Sequence, residues 1–309
     1  MSPAERVWAR LPAGTRRSLV EELSATDLQS LLIDLARARA QQVTPRRLVQ
    51  RWREDRFTRP AAVDPRLRAE TEAALWRLLP EQIVGLTLSP LSPLGSCSAV
   101  APVDQNRIVS TARTSEVTSD PTNALALEAA VRRQQVRTPV HLAGCSRVVR
   151  AQRFDDPAAS AHFELFALVS SGRDTGSGRA EADLLVTQLE FWQRVLAALL
   201  GEVGRLDLTF LDDQAVRDRW RDTVAPALPG LRVREWPERS SGRGYYQALA
   251  FKIMIETPAG VVEIGDGGFT NWTAQLLPDA KERCLISCVS TERLAAATAT
   301  GAPSSSGAG

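Results

Sequence analysis

The chain has 309 residues, 44% of them apolar and 24% charged, with a formal net charge of +2. That composition belongs to a folded globular protein rather than a disordered one, and so small a charge gives no overall drive toward nucleic acid. Four cysteines are too few and too scattered for a disulfide framework, and no apolar run approaches the roughly 18 residues that span a bilayer.

Residues 1–20 carry scattered charges and no signal-peptide core, so a cytoplasmic protein is expected. Residues 1–80 read as a helical, arginine-rich region. Leu19, Leu23, Leu28, Leu31, Leu32 and Leu35 recur near helical spacing, and Ser24-Ala25-Thr26-Asp27 offers a helix start. The basic run from Arg46 to Arg59, with Trp52 and Phe57 interleaved, reads as a solvated helix face or as a surface for RNA or a partner.

From Ile83 the character changes. Pro90, Pro93, Gly95 and Pro102 punctuate a loop-rich stretch, and Ile108-Val109-Ser110-Thr111 reads as a short strand. Asp120 before Pro121 is a helix N-cap with proline in the first turn, opening a helix that ends near Arg133. His162 to Val169 is a strand with Phe163, Leu165, Ala167 and Val169 on one face, and residues 182–200 form the clearest helix, striped by Leu185, Leu189, Trp192, Leu196 and Leu199. Leu206 to Phe210 is a strand, and residues 215–224 a helix. A long strand from Tyr245 to Glu256 turns through Thr257-Pro258-Ala259-Gly260 into Val261 to Ile264 as a hairpin. Gly265-Asp266-Gly267-Gly268 reads as a glycine turn that lets backbone approach a neighbour. Leu285 to Val289 is a last strand, its Cys284 and Cys288 small buried apolar residues. Residues 296–309, rich in Ala, Thr, Ser and Gly, read as a disordered tail.

Strands joined by hairpins, with helices interspersed, give an α+β domain on an antiparallel sheet, spanning residues 81–295. The chemistry-bearing groups are mostly arginines. Arg150, Arg243 and Arg293 each fall at a strand edge or end, and forked guanidiniums suit a triphosphate. Gly172 to Gly178 lacks the lysine of a phosphate loop and reads as a connection. With only His141 and His162, a zinc site or a Ser-His-Asp triad has little material.

Several blocks, in order, resemble the catalytic core of histidyl-tRNA synthetase, a class II aminoacyl-tRNA synthetase. Glu116-Val117-Thr118-Ser119-Asp120-Pro121-Thr122 resembles L-R-P-E-G-T, with Asp120 and Thr122 on the acid and the threonine. Ser146-Arg147-Val148-Val149-Arg150-Ala151-Gln152, leading to Phe163, resembles motif 2, with Arg150 on its arginine and Gln152 on its glutamate. Arg243-Gly244-Tyr245-Tyr246 resembles R-G-L-D-Y-Y, shorter by two. Gly267-Gly268-Phe269-Thr270-Asn271 resembles G-G-R-Y-D, and Thr291-Glu292-Arg293-Leu294 resembles the motif 3 ending G-x-E-R-L.

The resemblance implies a class II synthetase-like antiparallel sheet flanked by helices, preceded by the N-terminal helical region. It implies ATP and Mg²⁺, and an acyl-adenylate formed from an amino acid or similar small carboxylic acid. Arg150 and Arg243 would act on the α-phosphate, and Arg293 on the γ-phosphate. Gln152 and Phe163 would contact the nucleotide. Asp120, Thr122, Tyr245, Tyr246, Gly267 and Gly268 would line the amino-acid pocket, with Glu116 and Glu164 as secondary acids. A homodimer is implied, with a tRNA, a carrier protein or a small amine as acceptor and no membrane partner. The sequence departs from the family at Gln152 and Ser290-Thr291, and at Leu165 and Val169 or Ser170, which stand near where the family uses a glutamine and a glutamate on its substrate. No segment after Leu294 is expected to form an anticodon-binding domain. The alternative is a non-catalytic relative that, like the regulatory subunit of ATP phosphoribosyltransferase, binds an amino acid and modulates a partner enzyme.

Overall fold

The computed structural model describes residues 1–152, 160–201, 204–242, 244–257 and 260–301. In chain order, the N-terminal region holds α1 (Pro3–Trp8), α2 (Thr15–Arg17), α3 (Ala25–Ala40), α4 (Pro45–Glu54) and α5 (Pro65–Leu78). There follow β1 (Val84–Leu86), β2 (Leu91–Pro93), β3 (Ser115–Val117), α6 (Pro121–Arg133), β4 (Val140–Val149), β5 (His162–Arg173), α7 (Arg179–Leu200), β6 (Gly204–Leu211), α8 (Gln214–Arg219), α9 (Ala225–Ala227) and β7 (Val233–Glu235). The chain closes with β8 (Gln247–Thr257), β9 (Gly260–Thr270), α10 (Trp272–Leu276), β10 (Glu282–Ser290) and α11 (Thr291–Gly301).

Local chemistry sets most of these bounds. Ser24 accepts from the Asp27 amide at 3.1 Å and opens α3. Asp64 caps α5 and Asp120 caps α6, each ahead of a proline whose fixed φ suits the first turn. Gly178, at φ +67, starts α7 in a conformation that a side chain would strain, and a Cβ there would lie 3.1 Å from the Ala215 carbonyl oxygen.

The main sheet has eight strands in the order β1-β4-β5-β10-β9-β8-β6-β7. From β4 to β6 every pairing is antiparallel, as expected; the short edge strands β1 and β7 pair parallel with β4 and β6. Period-two alternation gives the sheet two apolar faces. Phe166, Leu168, Phe251, Ile253 and Leu285 face α7, where Leu185, Leu189 and Trp192 are at most 1% exposed. Each such side chain contributes about 1.5–3 kcal/mol on burial. A buried network stitches α7 to β10: the Trp192 indole donates to Ser287 Oγ at 2.8 Å, and Ser287 donates to Gln188 Oε1 at 2.6 Å. Leu142, Leu165, Ala167, Val169, Ile286 and Trp272 cover the other face with α6 and α10.

Several elements differ from their sequence reading. Ile108 to Thr111 is not a strand; after a 3-10 turn at Gln105–Arg107 only Ser110 bridges, to Glu116, because the chain reverses at Thr114, whose φ is +51°. The long strand begins at Gln247, so Tyr245 and Tyr246 lie in the turn before it, both amides donating to the Gly242 carbonyl at 3.1 Å. Gly265 to Gly268 is no turn. These residues run inside β9, where a Cβ on Gly267 would meet the Phe251 ring at 2.5 Å and one on Gly268 the Tyr246 ring at 2.6 Å. The helix α11 continues to Gly301, into the stretch read as a tail.

The N-terminal helices divide in two. Leu75 of α5 is fully buried in the α7-side core, so this last helix is part of the core of the main sheet. The helices α1 to α4 bury no residue; the α3 leucines form a helix as their spacing predicts, but Leu31 and Leu35 remain 47% and 57% exposed. No helix among the described residues is long and apolar enough to cross a membrane.

Candidate functional site

On the α6 side, the sheet floors a cavity of about 1040 Å³. Leu165 of β5, Lys252 of β8, Asp266 of β9, and Ile286 and Cys288 of β10 form its base. Its walls come from the start of α6, the end of β4, the 239–246 loop and the first turn of α11. Ala61, Ala62 and Val63, just ahead of α5, close one rim.

Asp120 and Thr122 reach the cavity from the start of α6. Asp120 Oδ1 accepts from the Thr122 amide at 3.0 Å and its hydroxyl at 2.6 Å. Arg150, just past β4, donates through Nε to the Ser119 carbonyl at 3.0 Å and through Nη2 to Asp120 Oδ2 at 3.3 Å. Its guanidinium lies 5.1 Å over the Phe163 ring, a cation-π arrangement. Gln152 also lines the cavity, and its carbonyl accepts from Arg56 Nη1 at 2.8 Å, so the N-terminal region grips the connection after β4.

Tyr245 and Tyr246 line the opposite wall edge to face, with centroids 4.8 Å apart. The Tyr246 hydroxyl donates to Asp266 Oδ2 at 2.9 Å. Burial raises the Tyr246 pKa well above its ordinary value. Burial likewise raises that of Asp266, outweighing the hydrogen bond from Tyr246 and the nearby Arg239 that pull it down. Arg293, in the first turn of α11, reaches the cavity from the exposed side and donates to the Glu263 carbonyl at 2.9 Å.

Thus Asp120, Thr122, Arg150, Gln152, Phe163, Tyr245, Tyr246 and Arg293, from five separate stretches of sequence, border one cavity. Gly267 and Gly268 do not line it. They lie in β9 beneath Phe251 and Tyr246, their missing side chains making room for those rings. Arg243 lies outside the described residues. Two acids singled out from the sequence serve other ends. Glu116 is buried and accepts from the Gly95 and Cys97 amides at 2.8 and 3.0 Å, pinning the 95–105 loop. Glu164 pairs with Arg68 at 2.7 Å and accepts from Thr291 at 3.0 Å. Glu164 points away because β5 alternates faces and Leu165 takes the cavity side, and Glu116 belongs to the separate two-stranded β2-β3 sheet.

Three contributors escaped the sequence reading. Asp266 pairs across strands with Lys252 and Cys288, a register readable only once β9 is known to be a strand. Arg239 is buried, 3.5 Å from Asp266 Oδ2 and 5.2 Å over the Tyr246 ring, yet sits in a polar loop without any pattern. Ala61 to Val63 carry no local signal at all.

No family model matches the chain, and no curated protein matches it in sequence. The fold is the class II aminoacyl-tRNA synthetase core. Among solved structures, the chain is similar to histidyl-tRNA synthetase from S. aureus (TM-score 0.54, 16% identity, 76% of this chain) and spans 65% of that enzyme's length. It is similar to an ATP phosphoribosyltransferase regulatory subunit/histidyl-tRNA synthetase from Bacillus halodurans (TM-score 0.59, 11% identity), over 78% of this chain and 83% of that one. It also resembles a pyrrolysyl-tRNA synthetase from Desulfitobacterium hafniense (TM-score 0.50, 13% identity), over 81% of this chain and 72% of that one.

Proposed function

We propose that this protein activates an amino acid or related small carboxylic acid with ATP, releasing pyrophosphate and leaving an acyl-adenylate. The observation that carries the reading is the meeting of Arg150 and Arg293 with Asp120, Tyr245 and Tyr246 around one cavity on an antiparallel floor. Its volume suits a nucleotide beside a small acid.

In this reading the substrate carboxylate oxygen attacks the α-phosphorus in line, forming the acyl–phosphate bond as the bond to the pyrophosphate oxygen breaks. Such a reaction asks for positioning and charge stabilisation more than for covalent help. Arg150, with Arg243, bears on the α-phosphate as negative charge gathers there, and Phe163 and Gln152 flank the nucleotide. Arg293 takes the departing pyrophosphate. Asp120 has Oδ2 facing Arg150 and orients the substrate ammonium, with Tyr245 and Tyr246 closing the pocket. Mg²⁺, when bound, would shield the phosphates. Glu292, a cavity carboxylate held by Arg147 at 2.8 Å, would be one residue to hold it. The acyl group then passes to a tRNA, a carrier protein or a small amine, in the cytoplasm.

Amino-acid-dependent exchange of labelled pyrophosphate into ATP tests this. Exchange with at least one amino acid is expected, and none across the common set sinks it. One observation favours a second reading, a non-catalytic amino-acid sensor acting on a partner enzyme: the Arg150 guanidinium already has protein partners in Ser119 and Asp120. A thermal shift with an amino acid but no exchange would select the sensor. Either protein is expected as a homodimer, and light scattering at micromolar concentration giving a monomer mass would remove that part.

A further inference from the structure

One carboxylate on the cavity floor has more accepting capacity than the fold uses. Asp266 stands on β9, and its cross-strand neighbours Lys252 and Cys288 line the cavity with it. Its side chain is 35% accessible. Oδ2 is occupied: the Tyr246 hydroxyl donates to it at 2.9 Å, and Arg239 lies 3.5 Å away as counter-charge. Oδ1 meets the Cys288 thiol at 3.9 Å, a weak donor at long range. An ionised carboxylate accepts at about four lone-pair sites, so capacity is left over for a donor that enters the cavity. Burial works against the charge of Asp266 more than Tyr246 and Arg239 support it, the mark of a carboxylate short of donors. Lys252, directly across on β8, is engaged by Glu263 instead.

We propose that Asp266 reads the substrate's side chain, selecting an amino acid whose side chain ends in a hydrogen-bond donor, a hydroxyl or an amine. This rests on the reading of the cavity as an amino-acid site, in which Asp120 takes the α-ammonium. Tyr246 holds Oδ2 and so leaves Oδ1 as the oxygen that meets the ligand. A hydroxyl or an ammonium donates to Oδ1, and the charge on the acceptor strengthens that bond. An apolar side chain of the same shape displaces water from Oδ1 and gives no bond in return. A site built around such a polar contact rejects the analogue that lacks it. A carboxylate side chain is repelled by Asp266, and by Asp120 on the same cavity.

Isosteric pairs isolate the donor. Calorimetric titration of the full chain compares serine with alanine, threonine with valine, tyrosine with phenylalanine and lysine with norleucine, with glutamate beside them. The tightest ligand is expected to be a donor-bearing member, bound about tenfold or more above its isostere. Asp266→Asn is expected to bring that pair to near parity. There the Tyr246 hydroxyl keeps the amide carbonyl and turns the amide N–H groups toward the cavity, so that donor faces donor. Asp266→Ala also takes the counter-charge from Arg239, and is expected to lose the preference and to melt lower. A purely structural Asp266 would lower the melting temperature and leave the preference as in wild type. An apolar amino acid or glutamate binding tightest overturns the inference, as does no binding of any free amino acid or a preference unchanged in Asp266→Asn. Should neither variant fold, the wild-type pairs decide it. Pyrophosphate exchange on the same samples reads the reaction separately. Binding of a donor-bearing amino acid without exchange removes the ligase reading and keeps this one; exchange driven best by an apolar or acidic amino acid does the reverse.

Discussion

Arg150→Ala is expected to lower amino-acid-dependent pyrophosphate exchange by about 10²–10³-fold, the loss typical when one preorganised donor to a developing oxyanion is removed. The guanidinium is held from three directions, by Ser119, by Asp120 and by the face of Phe163, so its fork is set before substrate arrives. Arg150→Lys keeps the charge but not the fork, and is expected to recover only part of the activity. Stability should hardly change. The Arg150–Asp120 pair is partly solvated, with side chains 31% and 18% exposed, and such pairs contribute about 0–1 kcal/mol. A folded variant with lost exchange is therefore the expected outcome, seen by circular dichroism melts beside the isotope assay. Exchange within about threefold of wild type would remove Arg150 from the reaction.

Glu282→Ala is expected to destabilise the fold by about 3–5 kcal/mol, because it strands a buried guanidinium. Arg133, at the end of α6, donates Nε to Glu282 Oε2 at 3.0 Å and Nη2 to Oε1 at 2.8 Å, with side chains 3% and 5% exposed. Its Nη1 donates to the Val136 and Thr138 carbonyls at 3.0 and 2.8 Å, so the same group also closes the α6–β4 connection. The pair bolts α6 to β10, and α6 carries Asp120, Thr122 and Asn123 at its other end. A fall in melting temperature of roughly 10 °C is expected, with weaker amino-acid binding at temperatures where the variant is still folded. The double variant Arg133→Met/Glu282→Leu should recover most of the loss, since a well-packed apolar pair replaces a buried ionic one at little net cost. Chemical denaturation of the two singles and the double gives the coupling. A Glu282→Ala melt within a degree or two of wild type would show the pair to be unimportant.

Much of the scaffold was legible in the chain because its signals are local. The α7 stripe, the caps at Ser24 and Asp120, the inward face of β5 and the β8–β9 hairpin depend on residues within a turn or a pleat of each other. The glycines of β9 misled for the same reason. Locally they announce a turn, whereas they stand in mid-strand because Phe251 and Tyr246 need the space above them.

By itself the sequence determined the α+β class, the principal helices α6 and α7 and the strands β5, β6, β8 and β10, and the residues Asp120, Arg150, Tyr245, Tyr246 and Arg293 as bearers of charge and hydrogen bonds. Only the tertiary structure decided which groups face the cavity. It turned Glu116 and Glu164 away, brought Arg239 and Asp266 in, and set Ala61 to Val63 on the rim. The reason is physical: helix and strand periods follow from backbone geometry over a few residues, but a cavity forms where β4, β5, β8, β9 and β10 line up, and that register is fixed by the packing of the whole sheet against α6 and α7.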